Sequence, residues 1–276
     1  MQRKIINAVC FILLLALAAA FIFPVAVVLI NSFKSKFSIN QEPFLLPTAE
    51  TFAGFENYTT GIKNTGFPAA FGWSLFITLF SIAAIIIFTS MCAWYIVRVK
   101  TKFTSFLYYA LVFSMIVPFQ MVMFTMSKIA NLLRLDNPLG IILIYLGFGA
   151  GLSVFMFSGF IKTVPLGVEE AATIDGCNPL QTYWRVVFPI LKPTAITVAI
   201  LNTMWIWNDY LLPYLVIGKD YKTIPVAIQY LKGGYGSVDM GAMMAMLVLS
   251  IIPVIAFYLS SQKYIIKGVA AGAVKG

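Results

Sequence analysis

The 276-residue sequence contains no histidine. That absence excludes Ser-His-Asp type triads, imidazole proton relays and most zinc sites. Charge is also scarce: Asp, Glu, Lys and Arg make up 11% of the chain, against about 25% in soluble domains. Its three cysteines, Cys10, Cys92 and Cys177, lie far apart, so neither a disulfide framework nor a CxxC site can be built from them. No G-x-x-x-x-G-K-[ST] loop is present, which leaves the chain without a nucleotide-hydrolysing motif of its own. No polar stretch is long enough for a second, soluble domain, and no internal repeat supports a duplicated secondary transporter.

What fills the sequence instead is apolar. Hydrophobic residues account for 61% and mean hydropathy is +0.91, the composition of an integral membrane protein. Charge-free runs predict six spans of the roughly 20 residues that a bilayer requires, at 6–31, 69–97, 103–126, 138–161, 193–217 and 239–262, within one transmembrane domain over 1–276. The first run lacks a small-residue cleavage site and reads as a retained helix. The net charge of +9 belongs to Lys and Arg residues flanking the spans rather than to a nucleic-acid surface. Arg98, Lys100 and Lys102 crowd one very short loop, which places that loop and both termini in the cytoplasm. Pro24, Pro118, Pro213 and Pro253 fall inside spans as kinks or hinges. Gly147, Gly149 and Gly151 thin the fourth span, and Gly241 with Ala245 forms a small-xxx-small pair in the sixth.

Between the fourth and fifth spans, residues 163–192 break the apolar pattern. Pro165 suits the first position of a short helix, with Glu169 and Glu170 early in it, where negative charge is favourable. Gly176 after Asp175 suits a stop with positive φ. Asn178 followed by Pro179 starts a second helix. There Leu180, Tyr183, Trp184 and Val187 recur with helical spacing, and Pro189 and Pro193 end it. One reading lays this hairpin flat on the membrane surface. The other makes it a knob that fits a groove on a partner, with apolar contact area and Glu170 offered to an arginine.

A second polar cluster sits in the fifth span: Asn202, Trp205, Trp207, Asn208, Asp209 and Tyr210. Sugars present apolar faces and many hydroxyls, so aromatic platforms beside amides suit them. Gln120, next to Pro118, is a further candidate for a cavity wall. The alternative for the aromatics is an interfacial belt. Asp209 lies about 24 Å along its helix from Pro193, towards the outer end, where a charge needs no special role.

Several of these segments resemble one family. Glu170-Ala171-Ala172, then Asp175-Gly176, then Phe188-Pro189 and Pro193, look like the "EAA" loop of ABC importer permeases. Trp207-Asn208-Asp209-Tyr210, Thr223-Ile-Pro225-Val and the tail from Gly268 to Gly276 resemble elements of the carbohydrate-uptake branch, of the maltose and multiple-sugar type. Phe55-Glu-Asn-Tyr58 and Pro118-Phe-Gln120 also fit. Trp73 departs, standing where relatives often have Asn.

The resemblance implies an all-α integral membrane protein with six transmembrane helices, the type I ABC importer permease fold with cytoplasmic EAA coupling helices. It implies ATPase coupling through Glu169, Glu170, Ala171, Ala172, Asp175, Gly176, Leu180, Tyr183 and Trp184, and a substrate path touching Gln120, Asn202, Trp205, Asn208 and Asp209. It further implies a second, non-identical permease, two ATPase subunits that carry ATP and magnesium, an external sugar-binding protein, membrane lipid, and a bacterial inner-membrane location. The chain itself would bind no metal or cofactor and catalyse nothing. Within it, the outer loop from Gly218 to Asp239 would face the binding protein, and the basic tail would pack near the ATPases or anchor to anionic lipid. The alternatives are the same architecture carrying another small solute such as glycerol phosphate, or an ion-coupled secondary transporter.

Overall fold

A computed structural model describes residues 2–218, 220–231 and 238–273, with side chains from residue 3 to residue 263. The Gly233–Gly236 tip, Lys219, Lys232, and the tail side chains beyond 263 with residues 274–276 lie outside the described residues. The described elements are helices: α1 (Gln2–Asn31), α2 (Lys36–Gln41), α3 (Glu56–Thr65), α4 (Phe67–Arg98), α5 (Lys102–Ser114), α6 (Phe119–Leu132), α7 (Pro138–Ile161), α8 (Gly167–Ile174), α9 (Pro179–Thr182), a π-helical turn (Tyr183–Val187), α10 (Phe188–Asn208), α11 (Leu211–Val216), α12 (Ile224–Gln229) and α13 (Met240–Ala273). An isolated antiparallel bridge joins Lys34 and Phe52.

Five stretches are individually long and apolar enough to cross a membrane: Arg3–Asn31, Phe67–Arg98, Pro138–Ile161, Pro179–Asn208 and Met240–Lys263. Local chemistry sets their ends. Asn137 accepts the Leu139 and Gly140 amides ahead of Pro138, and Thr101 forms a reciprocal cap with Thr104 at the start of α5, which satisfies amides with no intrahelical partner.

The sequence predicts one continuous third span over 103–126. Instead, α5 and α6 are bent by 107° at residues 115–118, so any third span is a broken one. Pro118 donates no hydrogen bond and disfavours helical backbone in the residue before it. It adopts extended backbone (ψ 136) as the cap of α6.

The fifth span also differs from its expected 193–217. Its helix begins earlier, running without interruption from Pro179 to Asn208, so Pro189 and Pro193 do not end the hairpin helix. In an α-helix the ring of Pro189 would clash with the carbonyl four residues back, which is that of Arg185. Arg185 lies inside the π turn, whose wider loop relieves that contact. At the far end, Asp209 is extended (ψ 124), and its carboxylate accepts the Leu211 and Leu212 amides at 3.0 and 3.4 Å. The span breaks there, and α11 starts afresh.

The residues pack as two compact units, 1–70 with 227–255 and 71–226 with 256–276. In the first, Phe33 packs against Phe52, Phe55 and Tyr58, and the Asn57 amide donates to the Ser32 and Lys34 carbonyls at 2.9 and 2.8 Å. In the second, Ile77, Ile85, Tyr145, Phe157, Tyr183 and Leu191 form the centre of a core drawn from α4, α7, the π turn and α10. Gly149 and Gly151 permit that packing: a Cβ at 149 would lie 2.7 Å from Ile85, and one at 151 would lie 2.6 Å from the Leu111 carbonyl.

Candidate coupling site

The hairpin between α7 and α10 is closed by two backbone devices. α8 starts at Gly167, two residues later than Pro165 suggested, because the Leu166 carbonyl accepts the Glu169 and Glu170 amides at 2.9 and 3.1 Å. Pro165 stays outside the helix, its carbonyl accepting from Val168 at 3.3 Å. α8 stops at Gly176, whose φ of 87° lies in the region that glycine enters without a Cβ penalty. The Cys177 amide returns to the Ala172 carbonyl at 2.9 Å and the Gly176 amide to Thr173 at 3.0 Å, a Schellman closure. Asn178 and Gln181 then exchange side-chain-to-amide bonds of 2.9 and 3.0 Å, a capping box that starts α9.

One face of α4 holds this hairpin. Ser90, Trp94 and Arg98 recur every four residues, so they line up along that face. Arg98 donates through Nε to Glu169 Oε1 at 2.8 Å, and its Nη2 lies 2.6 Å from the same oxygen. Nη2 also donates to the Val164 carbonyl at 3.0 Å. Trp94 Nε1 donates to Glu169 Oε2 at 2.9 Å. One turn further along, the hydroxyls of Ser90 and Tyr183 lie 2.5 Å apart, and the Trp94 and Tyr183 rings pack 5.5 Å apart. Glu169 is thereby 7% exposed and Tyr183 fully buried.

This geometry divides the nine residues assigned to coupling. Glu169, Ala172 and Tyr183 face inward. Glu170, Ala171, Asp175, Gly176, Leu180 and Trp184 are exposed, beside Ile174 at 86%. The expected apolar stripe is split along its length: Tyr183 and Val187 point into the core while Leu180 and Trp184 point out. The structural partners Ser90, Trp94, Arg98 and Val164 were not singled out from sequence for this role. Their signal was present as polar groups at four-residue spacing near the end of an apolar span. Among the described residues no group of three or more His, Cys, Asp or Glu side chains converges to hold a metal.

The substrate-path candidates separate in the same way. Asn202 is buried, donating to the Val198 carbonyl at 2.9 Å and to Ser153 at 3.4 Å, and so joins α10 to α7. Asp209 accepts from the Tyr145 hydroxyl at 3.0 Å as well as capping α11, and Trp205 packs edge-on to Tyr145 with centroids 5.4 Å apart. Asn208 is exposed, its amide donating to the Met204 carbonyl at 2.7 Å. Gln120 is exposed in the first turn of α6. The departing Trp73 packs edge-on to Tyr221 at 5.0 Å, while Ser74 accepts the Ile224 amide at 2.8 Å, fixing the Thr223–Val226 segment on the start of α4.

Comparison with known proteins matches residues 85–271 to the family described as "Binding-protein-dependent transport system inner membrane component". The chain is 39% identical over 262 residues to a probable starch degradation products transport system permease protein, AmyC, of Thermoanaerobacterium thermosulfurigenes, covering 95% of this chain and 94% of that one. It is 35% identical to the multiple sugar-binding transport system permease protein MsmG of Streptococcus mutans, covering 91% of each. Its backbone is similar to a chain of a crystallised bacterial ABC transporter involved in the import of the acidic polysaccharide alginate, with a TM-score of 0.79, 25% identity, and 96% and 98% of the two chains covered. The helical order described above is thus the type I ABC importer permease fold. The matched region runs from α4 to α13 and contains the hairpin together with the α4 residues that hold it, and on that extent the chain belongs to the family of binding-protein-dependent transport system inner membrane components.

Proposed function

We propose that this chain is one of two permease subunits of an ABC importer for oligosaccharides, and that the α8–α9 hairpin receives the stroke of a separate ATPase. The single observation that carries the coupling role is the division of the two adjacent glutamates. Glu169 is fully engaged within the chain, whereas Glu170, Ala171, Ile174 and Leu180 are presented outward. An isoleucine with 86% of its surface exposed beside a free carboxylate suits a pocket on a partner that offers apolar walls and an arginine. The flat-on-membrane reading leaves Glu170 and Asp175 without that complement.

The saccharide assignment rests on the relatives, whose names specify starch degradation products and multiple sugars. In this reading two ATPase subunits bind ATP and magnesium, an external binding protein delivers the sugar, and a second, non-identical permease completes the path. Both termini and the hairpin lie in the cytoplasm of a bacterial cell. The chain acts as a transport subunit and makes or breaks no covalent bond. We assign cargo contact to Asn208, Trp205 and Gln120, whose exposure supports that reading; the bonds of Asn202 and Asp209 favour a structural role for those two.

The test is ATP-driven uptake by the complete complex in liposomes, with its binding protein, across a panel of maltodextrins, raffinose-type sugars and glycerol phosphate. Uptake of a saccharide that requires ATP and the binding protein is expected. Uptake of glycerol phosphate alone, or uptake driven by a proton gradient without ATP, would overturn the reading.

A further inference from the structure

Where α4 ends, α5 begins and α7 ends, the second unit contains a cavity of about 440 Å³. Arg98, Lys100 and Lys162 line it together with Thr104, Ser105 and Ser158, and no carboxylate is among its walls. Ser158 is the informative member. It is fully buried, and its Oγ has no hydrogen-bond partner among the described residues. Thr89 and Ser90 on α4, by contrast, donate to carbonyls one turn back. A buried hydroxyl without a partner costs free energy unless something else supplies one.

The two lysines are not neutralised by any ion pair among the described residues. Lys162 lies 5.6 Å from the Tyr108 ring centroid, and Lys100 is exposed. Arg98 is shared with Glu169 and the Val164 carbonyl. The first turn of α5, a 13-residue helix, adds the positive end of its dipole.

We propose that this cavity binds the phosphate of an anionic phospholipid headgroup. Its depth fits, because the ends of two spans, α4 and α7, meet here at the level where headgroups lie. Its surroundings fit as well: Tyr109 lines the cavity and is flanked on α5, at helical spacing, by Phe106 and Phe113, exposed by 71% and 62%, an apolar strip leading from the cavity rim on which acyl chains can lie. A free phosphate ion would use the same cations and hydroxyls and leave that strip unused. Basic cavities between transmembrane helices recognise acidic headgroups by this combination of cations and apolar wall. Because Arg98 both lines the cavity and anchors Glu169, the bound headgroup sits next to the strut that holds the coupling hairpin.

The experiment is native mass spectrometry of the full complex in neutral detergent after adding phosphatidylglycerol or phosphatidylcholine. The unaltered complex should retain phosphatidylglycerol at least tenfold better than phosphatidylcholine. Lys100→Gln with Lys162→Gln should abolish that preference, and Ser158→Ala should weaken it several-fold. Lys36→Gln with Lys63→Gln, on the other unit, should leave it intact. Equal phosphatidylglycerol retention by the unaltered complex and by the Lys100→Gln/Lys162→Gln complex would overturn the proposal. So would displacement of the lipid by ten-millimolar inorganic phosphate, since the site would then read phosphate alone.

Discussion

Arg98 Nη2 lies 2.6 Å from Glu169 Oε1, joining the last residue of α4 to the first turn of α8 across 71 positions of sequence. Both side chains are largely withdrawn from solvent, at 19% and 9% exposure. Removing one partner therefore leaves a buried charge with too few bonds. Arg98→Gln is expected to destabilise the chain by about 3–5 kcal/mol and to abolish transport. Adding Glu169→Gln should restore much of the stability by removing the stranded charge. Thermal melting of the purified complex reads both effects, and a double variant no better than the single would refute this account of the pair.

Glu170 differs from its neighbour in that its side chain bonds to no other described residue: it is exposed on α8. Glu170→Lys should melt within a few degrees of the unaltered protein while ATPase subunits co-purify at least tenfold less well. Sugar capture by the binding protein should stay normal. Undiminished uptake in this variant would remove the docking role from Glu170.

Gly176 faces open space, with nothing within 4 Å of where a Cβ would stand, so only its φ of 87° opposes substitution. Gly176→Ala should cost about 1–2 kcal/mol, and Gly176→Asn less, since Asn tolerates left-handed backbone better. Coupled ATP hydrolysis should fall in the order Gly, Asn, Ala, Val. Steady-state assays of the four proteins would reveal whether a different order holds.

Asn202 and Asn208 lie on the same helix and invite opposite outcomes. Asn202→Ala leaves a gap between α10 and α7 and should lower the melting temperature with little change in which sugar is carried. Asn208→Ala, at an exposed site, should leave melting unchanged and raise the sugar concentration needed for half-maximal uptake. The reverse pattern would exchange their roles.

These contrasts mark where sequence reasoning succeeds and where it stops. The hairpin's turn was readable because Gly176, Asn178 and Pro179 each satisfy a local backbone requirement that depends on no distant residue. The fates of Glu169 and Glu170 were not readable, since adjacent identical side chains differ only in what a helix 71 residues earlier presents to them. Periodicity marked Leu180, Tyr183, Trp184 and Val187 as one stripe. It could not show that α4 covers only half of it, or that a π turn carries the helix past Pro189 and Pro193. Pro118 announced a deviation in the third span, but a proline alone does not distinguish a slight kink from a 107° elbow. In the fifth span Asp209 read as a charge near the membrane edge, whereas its position at the end of α10 makes it both a cap and the partner of Tyr145.

The uninterrupted stretch from Pro179 to Asn208 has a mechanical corollary. Its 30 residues give a pushrod about 45 Å long, with its foot in the hairpin and its head beside Asn208. In the proposed coupling role, displacing the foot would shift or tilt the head directly, without a relay of side-chain switches between them. The π turn at Tyr183–Val187 sits near the foot, so the change of hydrogen-bond register lies at the end where a push would enter and the length beyond it is regular α-helix up to Asn208.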